Sequence, residues 1–197
     1  MNLHTLLERP KIYALKTAIL SLGRHNVRDF LLELSEQRKN ENILDVACGA
    51  GQHADIFSDA SRYVGIDLNP SYMEFAAAEI ERPFFTMDAT NLALESETFD
   101  LTYAVGLFHH LSDEEVLDAA SEMARVTNVG GASIIVDAVR PGPFNVFGQI
   151  LYRLDRGDHV RHVPELQHLL SGAGFKLLLP NLPRSFPYRR AVFILNK

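Results

Sequence analysis

Residues 43–57, ILDVACGAGQHADIF, put a carboxylate near the end of an apolar run, a glycine-rich loop behind it and an apolar helical pattern after that. A strand, a tight glycine turn and a helix in that order form the opening unit of a parallel α/β sheet. Gly49, Gly51 and then Ala54 satisfy G-x-G-x-x-[GA], a fingerprint also shown by enzymes that bind nicotinamide or flavin dinucleotides. On that pattern alone the ligand of the loop is undecided.

Working outward, short apolar runs alternate with helical ones: NILDVA, HADIFSDA, YVGIDL, PSYMEFAAAEIE, FFTMDA, FDLTYAVGLF, DEEVLDAASEMARV and ASIIVDAV. That alternation predicts βαβ units and five parallel strands. Asn69 with Pro70 behind it, and Ser112 with Glu115, mark two helix starts. Val116, Ala119, Ala120, Met123 and Val126 form one apolar stripe, and Gly130-Gly131 is expected to end that helix. FKLLLPNL and RRAVFILNK are separated by a loop with Pro183 and Pro187, too short for a helical crossover, so they must pair antiparallel. Ahead of the glycine loop, Ile12, Leu15, Ile19 and Leu22 keep one helical face, Gly23 breaks it, and Val27, Phe30, Leu31 and Leu34 resume it. The expected organisation is one domain over 1–197, with a helical lid at 1–41 and a core at 42–197.

With 197 residues and 47% hydrophobic content, the chain can bury one full core, but it is too short for a dinucleotide domain plus a separate substrate domain. A formal charge of −6 with scattered basic residues offers no surface built to neutralise a phosphate backbone, so no nucleic-acid partner is expected. The single cysteine, Cys48, excludes an internal disulfide, and the start of the chain reads as no signal peptide, so a cytoplasmic location is expected. No apolar run approaches the ~20 residues of a membrane helix, so no integral membrane segment is expected. Oligomeric state leaves no mark in the sequence.

The glycine loop, the acidic residue Asp67 closing YVGIDL, and the terminal antiparallel pair together resemble class I S-adenosylmethionine-dependent methyltransferases, specifically the small-molecule branch called methyltransferase type 11. The resemblance covers about residues 43–197 and extends to FFTMDATNLAL, FDLTYAVGLFHHL, RVTNVGGASIIV and VPELQHLLSGAGFKLL. It implies a doubly wound, Rossmann-like seven-stranded sheet, mostly parallel, with a C-terminal antiparallel hairpin and N-terminal helices. It also implies S-adenosylmethionine as cofactor and methyl transfer to a small molecule, with the O, N or C atom of the acceptor unresolved. Residue by residue, Asp45 and the backbone from Ala47 through Cys48 and Gly49 to Gly51 would line the methionine part. Asp67 would take the ribose hydroxyls, Leu68 would pack on the adenine, and Asp88 and Ala89 would meet the adenine edge. Val105 and Gly106 would border the methyl group. Physically, a carboxylate at Asp45, placed at the mouth of the loop, would repel a pyrophosphate and favour a cationic ligand. That argues against an NAD-dependent oxidoreductase. Asp45, Asp67 and Asp88 also have a plainer role as caps and turn formers.

Transfer to a hydroxyl or carbon usually needs a base titrating near neutrality, and His109 and His110 lie just past the fourth strand, at the edge where open α/β sheets bind ligands. Adjacent residues at such a junction diverge, so at most one faces the acceptor. The long connection 140–165 mixes Phe144, Phe147 and Tyr152 with arginines, which suits a lid or substrate wall, and Tyr13 could close over the cofactor. His159, His162, Glu165 and His168 are potential ligands, but there is no HExxH pattern and Pro164 is expected to interrupt the helix, so no metal is expected. Two other functions remain open: a non-methylating enzyme that uses the same cofactor, and a regulatory binding protein on the same fold.

Overall fold

The computed structural model describes residues 25–142, 145, 148–149, 159–182 and 189–197. The expected helix at 12–22, together with Tyr13, Phe144, Phe147, Tyr152, Pro183 and Pro187, lies outside them. In chain order the elements are α1 (His25–Gln37), β1 (Asn42–Val46), β2 (Arg62–Asp67), α2 (Pro70–Glu79), β3 (Phe84–Thr86) and β4 (Phe99–Val105). A single 3₁₀ turn (Phe108–His110) leads to α3 (Asp113–Val126), β5 (Thr127–Ala138), α4 (Val163–Ser171), β6 (Lys176–Leu179) and β7 (Arg190–Asn196).

The strands form one seven-stranded sheet in the order β3-β2-β1-β4-β5-β7-β6. The first five strands are mutually parallel, and β7 runs antiparallel to both β5 and β6. The fold class and the terminal antiparallel pair therefore stand as the sequence predicts. Strand order reverses at β1, which has β2 on one side and β4 on the other, so the crevice beyond the carboxyl ends of β1 and β4 is the switch point where such sheets take ligands.

Alternation along each strand divides the core in two. Leu44, Val46, Val64, Ile66 and Ala104 face α3 and α4, where Val116, Ala119, Ala120, Met123 and Val126 are all buried as the stripe predicts. Each large side chain fully buried there contributes about 1.5–3 kcal/mol. Ile43, Tyr63, Leu101, Tyr103, Ile134 and Val136 line the opposite face with Val27 and Leu31 of α1. Asn69 caps α2 by accepting from the Ser71 N–H, and Ser112 and Glu115 form a reciprocal capping box on α3.

Three local expectations are corrected. Residues after Gly51 form consecutive turns rather than an α-helix, with Ala54 N–H donating to Gly51 O, Ile56 to His53 O and Ala60 to Phe57 O. Ala54, Phe57 and Ala60 lie three apart, a spacing that three-residue turns satisfy as well as a helix does. Gly130-Gly131 does not end α3. The helix passes directly into β5 at Thr127, whose hydroxyl donates 2.7 Å to Met123 O, and the glycines sit inside β5 at a register shift opposite Phe99–Leu101. A Cβ on Gly131 would come within 2.7 Å of Asp100 O, so that crossing requires glycine. Pro164 lies in the first turn of α4, where its missing N–H costs no helical bond, and so opens the helix it was expected to interrupt.

Candidate active site

At the edge of β1, three left-handed residues follow in alternation: Ala47 (φ 59°), Gly49 (57°) and Gly51 (76°). This winding turns the main chain sharply, and the conformation is rare for alanine, which marks the loop as strained. The Cys48 N–H donates to Ile66 O at 2.9 Å, and its thiol is buried against Tyr72, Met73 and Phe84. Burial pushes that thiol well up from its ordinary value, so Cys48 supports the loop and supplies no nucleophile. Behind the loop Gly65 is a contact point: a Cβ there would fall 2.6 Å from the Phe84 ring and 2.9 Å from the Cys48 sulfur.

Asp67, the last residue of β2, ties the loop to the start of α2. Its Oδ2 accepts from the Gly49 N–H and its Oδ1 from the Asn69 N–H, both at 2.9 Å. Desolvation raises its carboxyl above the usual value while these backbone donors work against the rise. Leu68, 68% exposed, stands on the rim beside it. The Oδ1 of Asp88 accepts from both the N–H and the hydroxyl of Thr90, the local turn that its plainer role describes. Ala89 is half-buried against the core.

Asp45 is not at the mouth. It precedes the last residue of β1, shares the face of Ile43, is 1% exposed, and its Oδ2 accepts 2.7 Å bonds from both the Tyr63 and Tyr103 hydroxyls. Burial is the largest cause that pushes its carboxyl up to about 7; the two phenols oppose the rise and the charge of Asp67 adds to it. Asp45 therefore lies beneath the loop, bound to two strand tyrosines, rather than in it.

At the edge of β4, Val105 is half-buried and Gly106 (φ 72°) turns the chain into the 3₁₀ turn, its N–H held by Val136 O. A Cβ on Gly106 would lie 3.6 Å from His109 Cε1, in ordinary contact, so the imidazole edge borders this turn, and the left-handed φ rather than space favours glycine there. His109 is 8% exposed, and its Nδ1 lies 2.6 Å from Oδ1 of Asp137, which is itself fully buried on β5. Asp137 also accepts from the Phe108 N–H through Oδ2 and from the Ala138 N–H through Oδ1. His110 is exposed, with its ring centroid 4.0 Å from that of His109. The two rings thus pack against each other rather than diverging as expected, and they differ in burial: His109 is held by Asp137 at the sheet edge, whereas His110 covers it from the exposed side.

Sequence reading missed Asp137 and Arg161. Asp137 lies in ASIIVDAV, where a charged residue inside an apolar strand was the available signal. Arg161 is 8% exposed on the connection before α4, and Asp113 Oδ1 accepts from its Nε and Nη2. His162 N–H donates to Glu165 at the start of α4, so this part of the His/Glu group serves to begin a helix.

Residues 43–131 match the family model described as methyltransferase domain. Over 149 residues the chain is 31% identical to the demethylmenaquinone methyltransferase of Streptomyces avermitilis, covering 72% of this chain and 63% of that protein. It is 28% identical over 178 residues to the O-methyltransferase cnsE of Penicillium expansum, covering 80% and 59%. A putative methyltransferase from Bacillus halodurans superposes with a TM-score of 0.65 at 27% identity, covering 76% of this chain and 69% of that one. The chain spans about half the length of curated relatives it matches, 42% and 54% for two of them. Among the described residues, no helix is long and apolar enough to cross a membrane. The family match from β1 into the start of β5, these relatives and the β3-β2-β1-β4-β5-β7-β6 sheet agree, and residues 43–131 are a methyltransferase domain similar to those of class I S-adenosylmethionine-dependent methyltransferases.

Proposed function

We propose that this chain transfers the methyl group of S-adenosylmethionine to a small-molecule acceptor, at an oxygen or an acidic carbon that His109 deprotonates. The cofactor supplies a methyl group on a sulfonium, and leaves as a neutral thioether when an acceptor's electron pair takes that methyl. The residues at the edge fit such a ligand. Asp67 acts on Asp45, and both act on the Cys48 thiol of the loop, so the negative charge gathered at the loop when they ionise suits a cation and opposes a pyrophosphate. Each Asp67 oxygen accepts one backbone N–H and retains lone-pair capacity for a ribose hydroxyl. The backbone from Ala47 to Gly51 would line the methionine part, Leu68 the adenine face, and Asp88 with Ala89 the adenine edge. Val105 and Gly106, beside the His109 imidazole, would border the methyl end.

The observation that carries the acceptor half is the His109–Asp137 pair. Asp137 already accepts two main-chain N–H groups, so it meets His109 as an acceptor and the imidazole proton sits on Nδ1. Nε2 of the neutral ring is then the basic nitrogen, and protonation at Nε2 leaves an imidazolium with a buried carboxylate at its back. An amine acceptor would not need this arrangement, whereas a phenol, enol or carbon acid would. Relatives named as a demethylmenaquinone methyltransferase and an O-methyltransferase support an acceptor of this kind.

The test is a screen of the purified chain with S-adenosylmethionine against phenols, enols and cell extracts, reading methylated products by mass spectrometry. On the acceptor found, His109→Ala should lower kcat about 10²-fold with cofactor affinity nearly unchanged, and His110→Ala should change it little. Near-full turnover by His109→Ala on a hydroxyl or carbon acceptor would remove the base from the mechanism.

A further inference from the structure

The turn that carries His109 has few bonds of its own. Within it, His110 N–H reaches Leu107 O and Leu111 N–H reaches Phe108 O. A three-residue 3₁₀ turn of this length does not hold one orientation unaided. Asp137 grips it from the sheet side, through the Phe108 N–H and the His109 ring. Three of its carbonyls go to one short stretch of chain more than 45 residues later. Arg161 Nη1 donates to Phe108 O at 3.1 Å, Arg161 Nη2 donates to Leu111 O at 2.8 Å, and the His159 N–H donates to His109 O at 3.1 Å.

Arg161 is anchored as well as anchoring. Its Nη1 also reaches His159 O at 3.0 Å, its Nε and Nη2 fork onto Asp113 Oδ1 at 2.9 and 2.6 Å, and its own carbonyl accepts from the Arg140 N–H at 2.9 Å. Arg140 in turn donates through Nε to Val160 O at 2.8 Å. One nearly buried guanidinium thus ties the first turn of α3, the 3₁₀ turn and the His159 end of the β5–α4 connection to each other, and main-chain and Arg140 bonds at residues 160–161 join the other end to them. Only a planar guanidinium presents five donors in a fixed fork, so lysine could satisfy one or two of these acceptors and not the set.

We infer that Arg161 is the positioning residue of the candidate base: it holds the carbonyl side of the 107–111 turn so that His109 stays on Asp137 and beside Gly106. The inference rests on the reading of His109 as base, and it extends that reading to the β5–α4 connection. The stretch 159–161 thus meets the turn at two points, the Arg161 guanidinium and the His159 N–H. The charged and titratable groups around His109 include Asp137 from β5, His110 from its own turn, and Arg161 and His159 from the connection, with Asp113 of α3 on Arg161 and Glu115 of α3 within electrostatic reach of His159.

The experiment follows the His109 ring by carbon–proton NMR against pH in the full chain, with S-adenosylhomocysteine binding measured by calorimetry on the same samples. Asp137→Asn sets the scale for an imidazole that has lost its carboxylate. Arg161→Lys, which keeps the positive charge, should lower the His109 midpoint in the same direction by about one pH unit, because a loosened turn surrenders the carboxylate contact. Arg161→Met should lower it less, since loss of a neighbouring cation itself raises an imidazole's midpoint, and both variants should bind S-adenosylhomocysteine as the parent does. Asp113→Asn, at an exposed position that cannot unfold the core, should give a smaller shift of the same sign. A His109 titration that stays at the parent's midpoint in folded Arg161→Lys and in Asp113→Asn overturns the inference. Failure of the base reading shows separately, as full turnover by His109→Ala.

Discussion

Two buried carboxylates sit on this sheet, Asp45 on β1 and Asp137 on β5, and they are satisfied by different donors. Asp45 takes two phenol hydroxyls from the neighbouring strands, whereas Asp137 takes two main-chain N–H groups and an imidazole. Phenols can be removed without moving the main chain, so the Asp45 cluster sets the charge beneath the glycine loop. The donors to Asp137 belong to a turn and a strand, so that carboxylate sets the shape of the 107–111 turn. The proposed cofactor half is a prebuilt backbone over a buried carboxylate; the proposed acceptor half is a geometry held by long-range contacts.

The sharpest break in that comparison is Asp137→Ala. It strands the Phe108 N–H, the Ala138 N–H and the His109 ring, each a buried donor, and should cost about 3 kcal/mol or more by urea denaturation. Tyr63→Phe should cost less, since Asp45 keeps Tyr103 as a donor. Equal losses would erase the distinction between the two sites. Next in size, Asp67→Ala should weaken cofactor binding by about 1.5–3 kcal/mol, with the fold retained. An unchanged affinity would leave Asp67 as a brace between Gly49 and Asn69 alone.

Asp45 makes a pH-dependent contribution of the less common sign. Its folded value of about 7 lies above the ordinary 3.8, so the folded state binds this proton more tightly than the unfolded chain does. The contribution is most favourable below about pH 4 and is lost progressively as pH rises through about 7. Asp45→Asn should therefore flatten the stability profile between pH 5 and 8 (about the window set by that shift) and raise the melting temperature relative to the parent at the upper end. The same variant should weaken cofactor binding, which grows with pH in the parent as Asp45 ionises. A parent whose melting temperature rises across this window faster than that of the variant would contradict the assignment. The smallest effect is expected at Asp88, where Ala removes one exposed turn and should change stability by less than about 1 kcal/mol.

How much of this was legible in the sequence follows from the same contrast. The glycine loop, Asp67 at the end of β2 and the Ser112–Glu115 capping box are local patterns, and the structure has them where the chain predicts. The orientation of Asp45 was not local. A strand that runs on to Val46 turns Asp45 onto the face of Ile43, and only the pairing of β1 with β2 and β4 brings two tyrosines to it. The turns after Gly51 escaped because Ala54, Phe57 and Ala60 suit two helical periods. Gly130-Gly131 escaped because glycine marks a close crossing in a strand as readily as a helix end. Asp137 and Arg161 reach His109's turn across 28 and about 50 residues, and no spacing rule reads contacts at that distance.

Calorimetric titration of the chain with S-adenosylhomocysteine, run beside NADH and repeated on Asp67→Ala, tests the central claim most directly. The account predicts micromolar binding of S-adenosylhomocysteine, on the order of 10-fold or more weaker in the variant, and no heat from NADH. Tight NADH binding with silence toward S-adenosylhomocysteine would contradict it.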